Sequence, residues 1–574
     1  MINRFIERLG AEQRDLVRML RETILSSLLV GLIPLPLLFF YDTISECMSL
    51  PRSETGFPAG LFIYPLLYLL LKLVHTAFSS RADLRVLSTK INIGSSLRER
   101  LYDKWSKMSF SFYDKRPVGE LLTNLWDDTS NVANLVSNDI KSLLTSLLSI
   151  IIVLVIIFIC NTTLGLMVIA TIPVLFLASI IIQKKLAVET SQEVTCRDNA
   201  NIYFNETLNG MLLTKSMGRE EYVTEKFIAY STTLKNTSLK VVFLSFLYSP
   251  MVACTCSVSI ALVIYYGGLL AGQTETVTIG TWVGLMSYVR GLFVPIENVT
   301  RFFVNLPSRL LSESRLVKRF SEEQDINDFK SIDNFPALKG DIRFEGVTFS
   351  YGTSKQILSD FNLWIKQGQS VGLVGPTGSG KTTIMNLISR FYEPTQGRIY
   401  IDGIDYTLRS IDSYRSQLGV ILQNPYLFSG TLFSNLTNES PENNLKNVEA
   451  LLYKLGVEDL IPRLFNEVGN EGEYLSVGEK QIVSIARIVL KDPKIILMDE
   501  FSSSLDMVTE AKLQYAVEQL MKGWTCIIIA HRLDTIMRCD RILVVKDGEI
   551  IEDGHHEVLS MKKGQYETLL EDYK

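Results

Sequence analysis

Through its first 310 residues the chain alternates long apolar runs with charged stretches. Residues 24–41, 142–160, 164–182 and 241–273 contain no Asp, Glu, Lys or Arg, and 56–78 contains only Lys72, with His75, near its far end. A sixth run, about 276–303, is interrupted by Arg290, Glu297 and Arg301. Crossing the hydrocarbon core of a bilayer takes about 20 apolar residues. Six such runs in one half of a chain predict six membrane helices rather than six buried core helices.

The connections between the runs are unequal. Residues 79–141 hold ten Lys and Arg residues, residues 183–240 hold eight, and the other three connections hold only Arg52. Basic loops favour the cytoplasmic side, so both long loops and both termini are expected there. Both loops are helical in pattern, which predicts membrane helices that run on past the bilayer and turn back. The opening twenty residues place Ile2, Phe5, Ile6 and Leu9 at helical spacing among arginines. That predicts a helix lying on the inner membrane surface over 1–23. The membrane domain then covers 24–310, and the charged stretch 311–340, with Pro336 and Gly340, reads as a linker.

Beyond residue 340 the period changes. Short apolar stretches, SVGLVG, LGVIL, KIILMD, CIIIA and RILVV, alternate with helical and turn patterns. This predicts an α/β domain over 341–574 with a mainly parallel sheet. Asp547-Gly548 between two such stretches signals a hairpin.

Directly after SVGLV comes GPTGSGKTT, from Gly375 to Thr383. The spacing is that of a loop whose backbone N–H groups wrap phosphate oxygens at a helix N-terminus. Gly375, Thr377, Gly378, Ser379, Gly380 and Thr383 form this cradle. Lys381 supplies a charge for the β- and γ-phosphates and Thr382 a hydroxyl for magnesium. KIILMDE ends in Asp499 and Glu500, carboxylates delivered to the end of a buried strand, where ligands bind in such sheets. Asp499 suits the magnesium shell, and Glu500 the orientation or deprotonation of an attacking water.

With these elements in this order, the second half resembles the nucleotide-binding domain of an ATP-binding cassette (ABC) transporter. LSVGEKQ, Leu475 to Gln481, stands where that family carries Leu-Ser-Gly-Gly-Gln; Val477 and Glu479 depart from it. The resemblance implies that Ser476 and Gly478 face the γ-phosphate of ATP bound by the opposite subunit. It also implies that Tyr351 stacks on adenine, Gln423 senses magnesium and the membrane domain, Asp506 contacts the other subunit, and His531 lies near the γ-phosphate. The first half resembles the six-helix exporter type. FYDKRPVGELL (112–122) and GMLLTKSMGREE (210–221) look like its two intracellular loops, and NEVGNEG (466–472) like the loop before the signature.

The expected fold is therefore an α-helical transmembrane domain of six helices fused to an α/β P-loop NTPase domain. The resemblance implies ATP and Mg2+ as cofactors and a dimer of half-transporters in the cell membrane, a homodimer preferred and a heterodimer open. The expected function is ATP-driven export of a drug, peptide or lipid. A siderophore-type importer of the same architecture and an ATP-regulated channel or sensor are the alternatives. A net charge of −5 gives no basic balance for nucleic acid. The seven scattered cysteines read as packed thiols. Arg290 is the one charge far from both ends of its apolar run. The roles open for it are binding an anionic group on cargo, a salt bridge to another helix, or a head that reaches the membrane interface. Glu297 and Arg301, four apart, read as a pair.

Overall fold

The computed structural model describes residues 12–49, 60–273, 278–322, 333–352, 355–438, 444–499, 511–512, 514–518, 523–529, 533–562 and 564–572. They divide into two compact units. The first takes the residues up to Ser106 together with Val118–Glu322; the second takes Lys107–Pro117 and the residues beyond Glu322.

The first unit is helical throughout: α1 (Glu12–Leu32), α2 (Leu35–Ser49), α3 (Gly60–Ser106), α4 (Val118–Cys160), α5 (Thr162–Asn209), α6 (Glu220–Gln273) and α7 (Ile279–Ser321). At 1.5 Å per residue the 47 residues of α3 reach about 70 Å, more than twice the roughly 30 Å of hydrocarbon. The long loops are thus helical extensions, as their pattern predicts. Among the described residues four stretches are long and apolar enough to cross a membrane: Arg14–Cys47, Gly60–Ser106, Val118–Cys160 and Gly165–Asn209. A shorter apolar stretch, Ala253–Leu269, lies in α6. The charges at Arg290, Glu297 and Arg301 set α7 apart from these.

The described part of the N-terminal segment is continuous with the first apolar run, because Leu16 and Met19 are buried and α1 continues unbroken to Leu32. At the other end, α7 runs eleven residues into the stretch read as a linker. Its Leu316 is fully buried, and burial of an apolar side chain holds a helix together. Of the cysteines, Cys526 and Cys539 are buried but Cys254 is exposed on α6, so the expectation of packed thiols fails there. An apolar residue of a membrane helix can satisfy its surroundings by facing lipid, and needs no protein core.

Leu38, Val153, Ile157, Val263, Tyr288 and Val289 centre the core of this unit, and the Tyr288 hydroxyl donates to the Gly31 carbonyl at 3.0 Å. Toward the long extensions the contacts become polar. Two π-turns in α4, Asn124–Asp128 and Leu135–Asp139, each shift the face that follows. Asp139 pairs with Arg309 at 3.2 Å, and Asn131 donates to Ser312 at 3.1 Å. Glu297 and Arg301 pair at 2.6 Å, as their spacing predicts.

The second unit contains two sheets. Strands β3 (Ser370–Val374), β6 (Leu418–Ile421), β7 (Ile495–Asp499), β8 (Thr525–Ile529) and β9 (Arg541–Lys546) form a parallel sheet. Its order is β10-β9-β3-β8-β7-β6, with β10 (Glu549–Gly554) antiparallel at the edge. All five stretches expected as strands lie in it. The Asp547-Gly548 turn has both residues at positive φ, 48° and 81°, the geometry of the tight hairpin turn. A second, antiparallel sheet, β2-β1-β4-β5, is formed by Ile342–Phe349 (β1), Leu358–Ile365 (β2), Gln396–Ile401 (β4) and Ile404–Asp405 (β5). It packs one face of the parallel sheet through Phe344, Phe361, Ile399 and Leu373.

Arg390 is fully buried behind helix α8 (Lys381–Ile388). It donates to Glu393 at 2.9 Å and to the carbonyls of Arg409 and Thr407 at 2.6 and 3.2 Å. Arg390→Met keeps most of the volume but strands these acceptors. We expect a loss on the order of 3 kcal/mol, read as a lowered melting temperature of the detergent-purified protein. An unchanged melting temperature would show that this charge does not hold the turn.

Candidate nucleotide-binding site

The phosphate-type loop leaves β3 at Val374 and enters α8 at Lys381. Three glycines bend it: Gly375, Gly378 and Gly380 have φ of 151°, 81° and 104°, values that favour glycine. A Cβ on Gly375 would stand 2.1 Å from the Val545 carbonyl oxygen, whereas one on Gly378 would meet nothing within 4 Å. One glycine is therefore required by packing, and another faces open space. The Gly548 N–H at the hairpin tip donates to the Ser379 carbonyl at 3.1 Å and braces the loop.

Lys381 is buried, and its Nζ donates to the carbonyls of Gly375 and Pro376 at 2.7 and 2.9 Å. The ammonium is thus held over the concave side of its own loop. Ser379 Oγ is buried and finds no hydrogen-bond partner among the described residues. A helix N-terminus, a poised ammonium and an orphaned hydroxyl fit a phosphate chain. Pro376, Thr377, Gly378 and Thr382 are exposed beside it, and Thr383 is buried.

The parallel register brings the other described candidates to the same edge. Asp499, last residue of β7, pairs with Ile529 at the end of β8, which pairs with Leu373 of β3. At about 4.8 Å per strand, Asp499 lies two strands from the loop, roughly 10 Å in the plane of the sheet. Gln423 is exposed two residues past β6, whose Ile421 pairs with Met498. Thr382, Asp499 and Gln423 are the described oxygen-bearing groups suited to magnesium at this edge. Glu500, Asp506 and His531 lie outside the described residues.

Tyr351 is half-buried. Its ring lies edge-on to Phe349 and Tyr392, at 4.9 Å from each. Its hydroxyl accepts from Asn386 Nδ2 at 3.1 Å and lies 3.4 Å from Thr383 Oγ1. Tyr392 in turn donates to Asp114 at 3.3 Å and meets the Phe110 ring at 6.1 Å. Burial first, then Asp114, pushes the Tyr392 phenol up to about 12, so it stays a donor at neutral pH. The spacing of aromatic residues gave no sign of this link.

Ser476 caps helix α9 (Val477–Lys491). Its Oγ accepts from the Glu479 N–H at 3.2 Å, and the Glu479 carboxylate accepts from the Ser476 N–H at 2.8 Å. This reciprocal capping box satisfies two donors of the first turn. Arg463 donates to the other Glu479 oxygen at 2.5 Å. Burial pushes the carboxyl up, but the Ser476 N–H and the Arg463 guanidinium outweigh it, and Glu479 titrates below its ordinary value. The cap is therefore complete at neutral pH and is lost only as the pH falls through that lowered value. Ser476 and Val477 are exposed while Gly478 is buried. An acidic residue beside a phosphate site looks unfavourable from its position alone. Its charge here is taken up by a partner sixteen residues earlier.

Comparisons with known proteins cover both halves of the chain. Residues 24–296 match the family described as the ABC transporter transmembrane region, and residues 358–503 the family described as ABC transporter. The chain is 33% identical to the uncharacterized ABC transporter ATP-binding protein YknV of Bacillus subtilis, over 83% of this chain and 79% of that one. It is 31% identical to a fatty acid ABC transporter ATP-binding/permease protein of Mycobacterium bovis, over 92% and 84%. A solved bacterial Atm1-family ABC exporter with ATP bound shares the fold at 24% identity, with a TM-score of 0.78 covering 97% of this chain and 98% of that one.

The pair at α9 gives a double-mutant test. Arg463→Ala leaves the Glu479 charge at the helix start without its guanidinium, and ATP turnover should fall several-fold. Glu479→Gln keeps the capping geometry without the charge, so added to Arg463→Ala it should restore turnover. We expect a coupling of at least about 0.5 kcal/mol, read by phosphate release. Strictly additive effects would mean that the pair does not tune this helix N-terminus.

Proposed function

Because this chain belongs to the ABC transporters, with a membrane region and an ATPase region fused in one polypeptide, we propose that it exports an amphipathic compound as one half of a dimer. It is an ATPase coupled to transport. The observation that carries the reading is the phosphate loop, with buried Lys381 held over it, in one chain with helices that exceed a bilayer in length. The Mycobacterium bovis relative, described as a fatty acid transporter, supports an amphiphile as cargo.

Two features support a dimer, preferably of identical copies. Ser476 stands at an exposed helix start, free to meet a phosphate held by another copy. The hairpin between α5 and α6 carries the short helix Met211–Ser216, with Leu212 84% exposed, Leu213 61% and the following Met217 67%. Apolar side chains uncovered together mark an interaction surface, and a second copy is the partner we assign. The basic loops place both ends of the chain in the cytoplasm in this reading, with the protein in the cell membrane.

In the mechanism the N–H groups of the loop and Lys381 bind the β- and γ-phosphates, and Tyr351 holds the base. Thr382, Asp499 and Gln423 would hold magnesium, which neutralises charge on the phosphates when bound. Ser476 and Gly478 of one copy close on the nucleotide of the other. Glu500 takes a proton from the attacking water, with His531 beside the γ-phosphate and Asp506 contacting the second copy. Closure of the nucleotide-binding halves turns the membrane cavity outward, and hydrolysis resets it.

Glu500→Gln tests this directly. The amide can still orient water but takes no proton, so ATP should bind while hydrolysis falls about 10²–10⁴-fold. The variant should accumulate as an ATP-dependent closed dimer, seen by crosslinking between copies. Undiminished hydrolysis would remove Glu500 from this role, and a failure to close with ATP would remove the dimer mechanism.

A further inference from the structure

Helix α7 has two faces. Leu285, Tyr288, Val289, Leu292, Phe293 and Ile296 are buried in the core of the helical unit. At 100° per residue, Ser287, Arg290, Gly291, Val294, Asn298 and Arg301 fall within about 60° of one line on the opposite side. Five of these six are exposed and Asn298 is half-buried. A helix that faced lipid would carry apolar residues there. This one presents a mostly polar stripe, with Val294 as its apolar member.

Arg290 is the informative position. It lies eleven residues after the start of α7, about 17 Å along the axis, which with a layer beginning where the helix does is close to the middle of a roughly 30 Å hydrocarbon core. It forms no ion pair or hydrogen bond with any described residue, whereas Arg301 is satisfied by Glu297 at 2.6 Å. The salt bridge to another helix, one of the three roles open from the sequence, is absent among the described residues. A guanidinium at mid-membrane depth is unfavourable against lipid and is found facing protein or a water-filled cavity. Its fork of donors matches the planar oxygens of carboxylates and phosphates.

We propose that this stripe lines the transport cavity and that Arg290 binds the acidic headgroup of an anionic amphiphile. The apolar part of the cargo lies against Val294 and the neighbouring membrane surface, and Ser287 and Asn298 offer neutral hydrogen bonds on either side. The proposal rests on the reading of the chain as an amphiphile exporter and adds the charge of the cargo. A second copy covering the stripe is the competing occupant.

The test uses the full-length protein in phosphatidylcholine nanodiscs without nucleotide. Binding of oleate is compared with that of oleyl alcohol and oleylamine, which share the chain but not the charge. Wild type should bind oleate about tenfold or more tightly than the alcohol, and the amine no better than the alcohol. Arg290→Gln should lose the preference for oleate while still binding the alcohol, which shows that the variant is folded. Arg290→Lys should keep part of the preference. Equal binding of oleate and alcohol by wild type, or an unchanged preference in Arg290→Gln, overturns the proposal. So does a disulfide that links two copies at Asn298→Cys and is absent from wild type, since the stripe would then be covered by a second copy. These binding outcomes are independent of ATP turnover. Failure of Glu500→Gln to slow hydrolysis or to close counts against the exporter reading, whereas loss of headgroup discrimination alone counts against the role of Arg290.

Discussion

Five parallel strands ending on one edge are the constraint on which the chemistry depends. Gly372, Ile528, Met498 and Ile421 stand in a fixed register across β3, β8, β7 and β6. A slip of one residue would turn every side chain of a strand to the opposite face and carry Asp499 away from the phosphate loop. Register is held from both sides. Ile495, Leu497, Ile527, Leu543 and Val545 point into the core shared with the antiparallel sheet. Ile496, Met498, Ile528, Ile542 and Val544 point into the core under the helices. With apolar side chains buried on both faces, no shifted pairing avoids exposing one set. The edge is precise because the interior tolerates a single alignment.

Three charges around that edge sit within reach of their own acceptors or donors. Lys381 lies on loop carbonyls, and Glu479 is shared between the Ser476 N–H and Arg463. Arg390, behind α8, is surrounded by Glu393 and two carbonyls. A buried charge without such neighbours is strongly destabilising. This explains how a glutamate can stand in the first turn of α9. Its negative charge favours the helix N-terminus, and the Arg463 guanidinium pairs with it.

Most of the architecture was legible from period and spacing. The apolar runs, the strand stretches, the glycine loop and the Asp547-Gly548 turn are local patterns, and each has its structural counterpart. What was not legible depends on residues distant in sequence. The antiparallel sheet is assembled from short strands with mixed burial, such as β4 with only Ile399 and Ile401 fully buried, so no clean alternation announces it. Arg463 lies in an irregular segment whose spacing to Glu479 belongs to no motif. The π-turns of α4 require an extra residue per turn, and the side chains that exploit them, Asp128 and Asp139, look like ordinary helix polarity in one dimension.

The segment Lys107–Pro117 is the least local of all. It lies between two helices of the first unit, yet it packs with the nucleotide-binding unit. Phe110 stacks on Phe391 at 5.3 Å, and Asp114 accepts from Tyr392. Tyr392 meets Tyr351, whose hydroxyl accepts from Asn386 of α8. Rings have few torsions, and close-packed groups transmit displacement rather than absorb it. The helix that begins at the phosphate loop is therefore joined to a loop between membrane helices through three aromatic contacts and two hydrogen bonds. A shift of α8 changes the seat of Phe110 unless one of these rings leaves its neighbours. Contiguity alone does not measure coupling. The same residues that position Tyr351 also hold Lys107–Pro117, so a substitution at Tyr392 disturbs the nucleotide site and the membrane loop together.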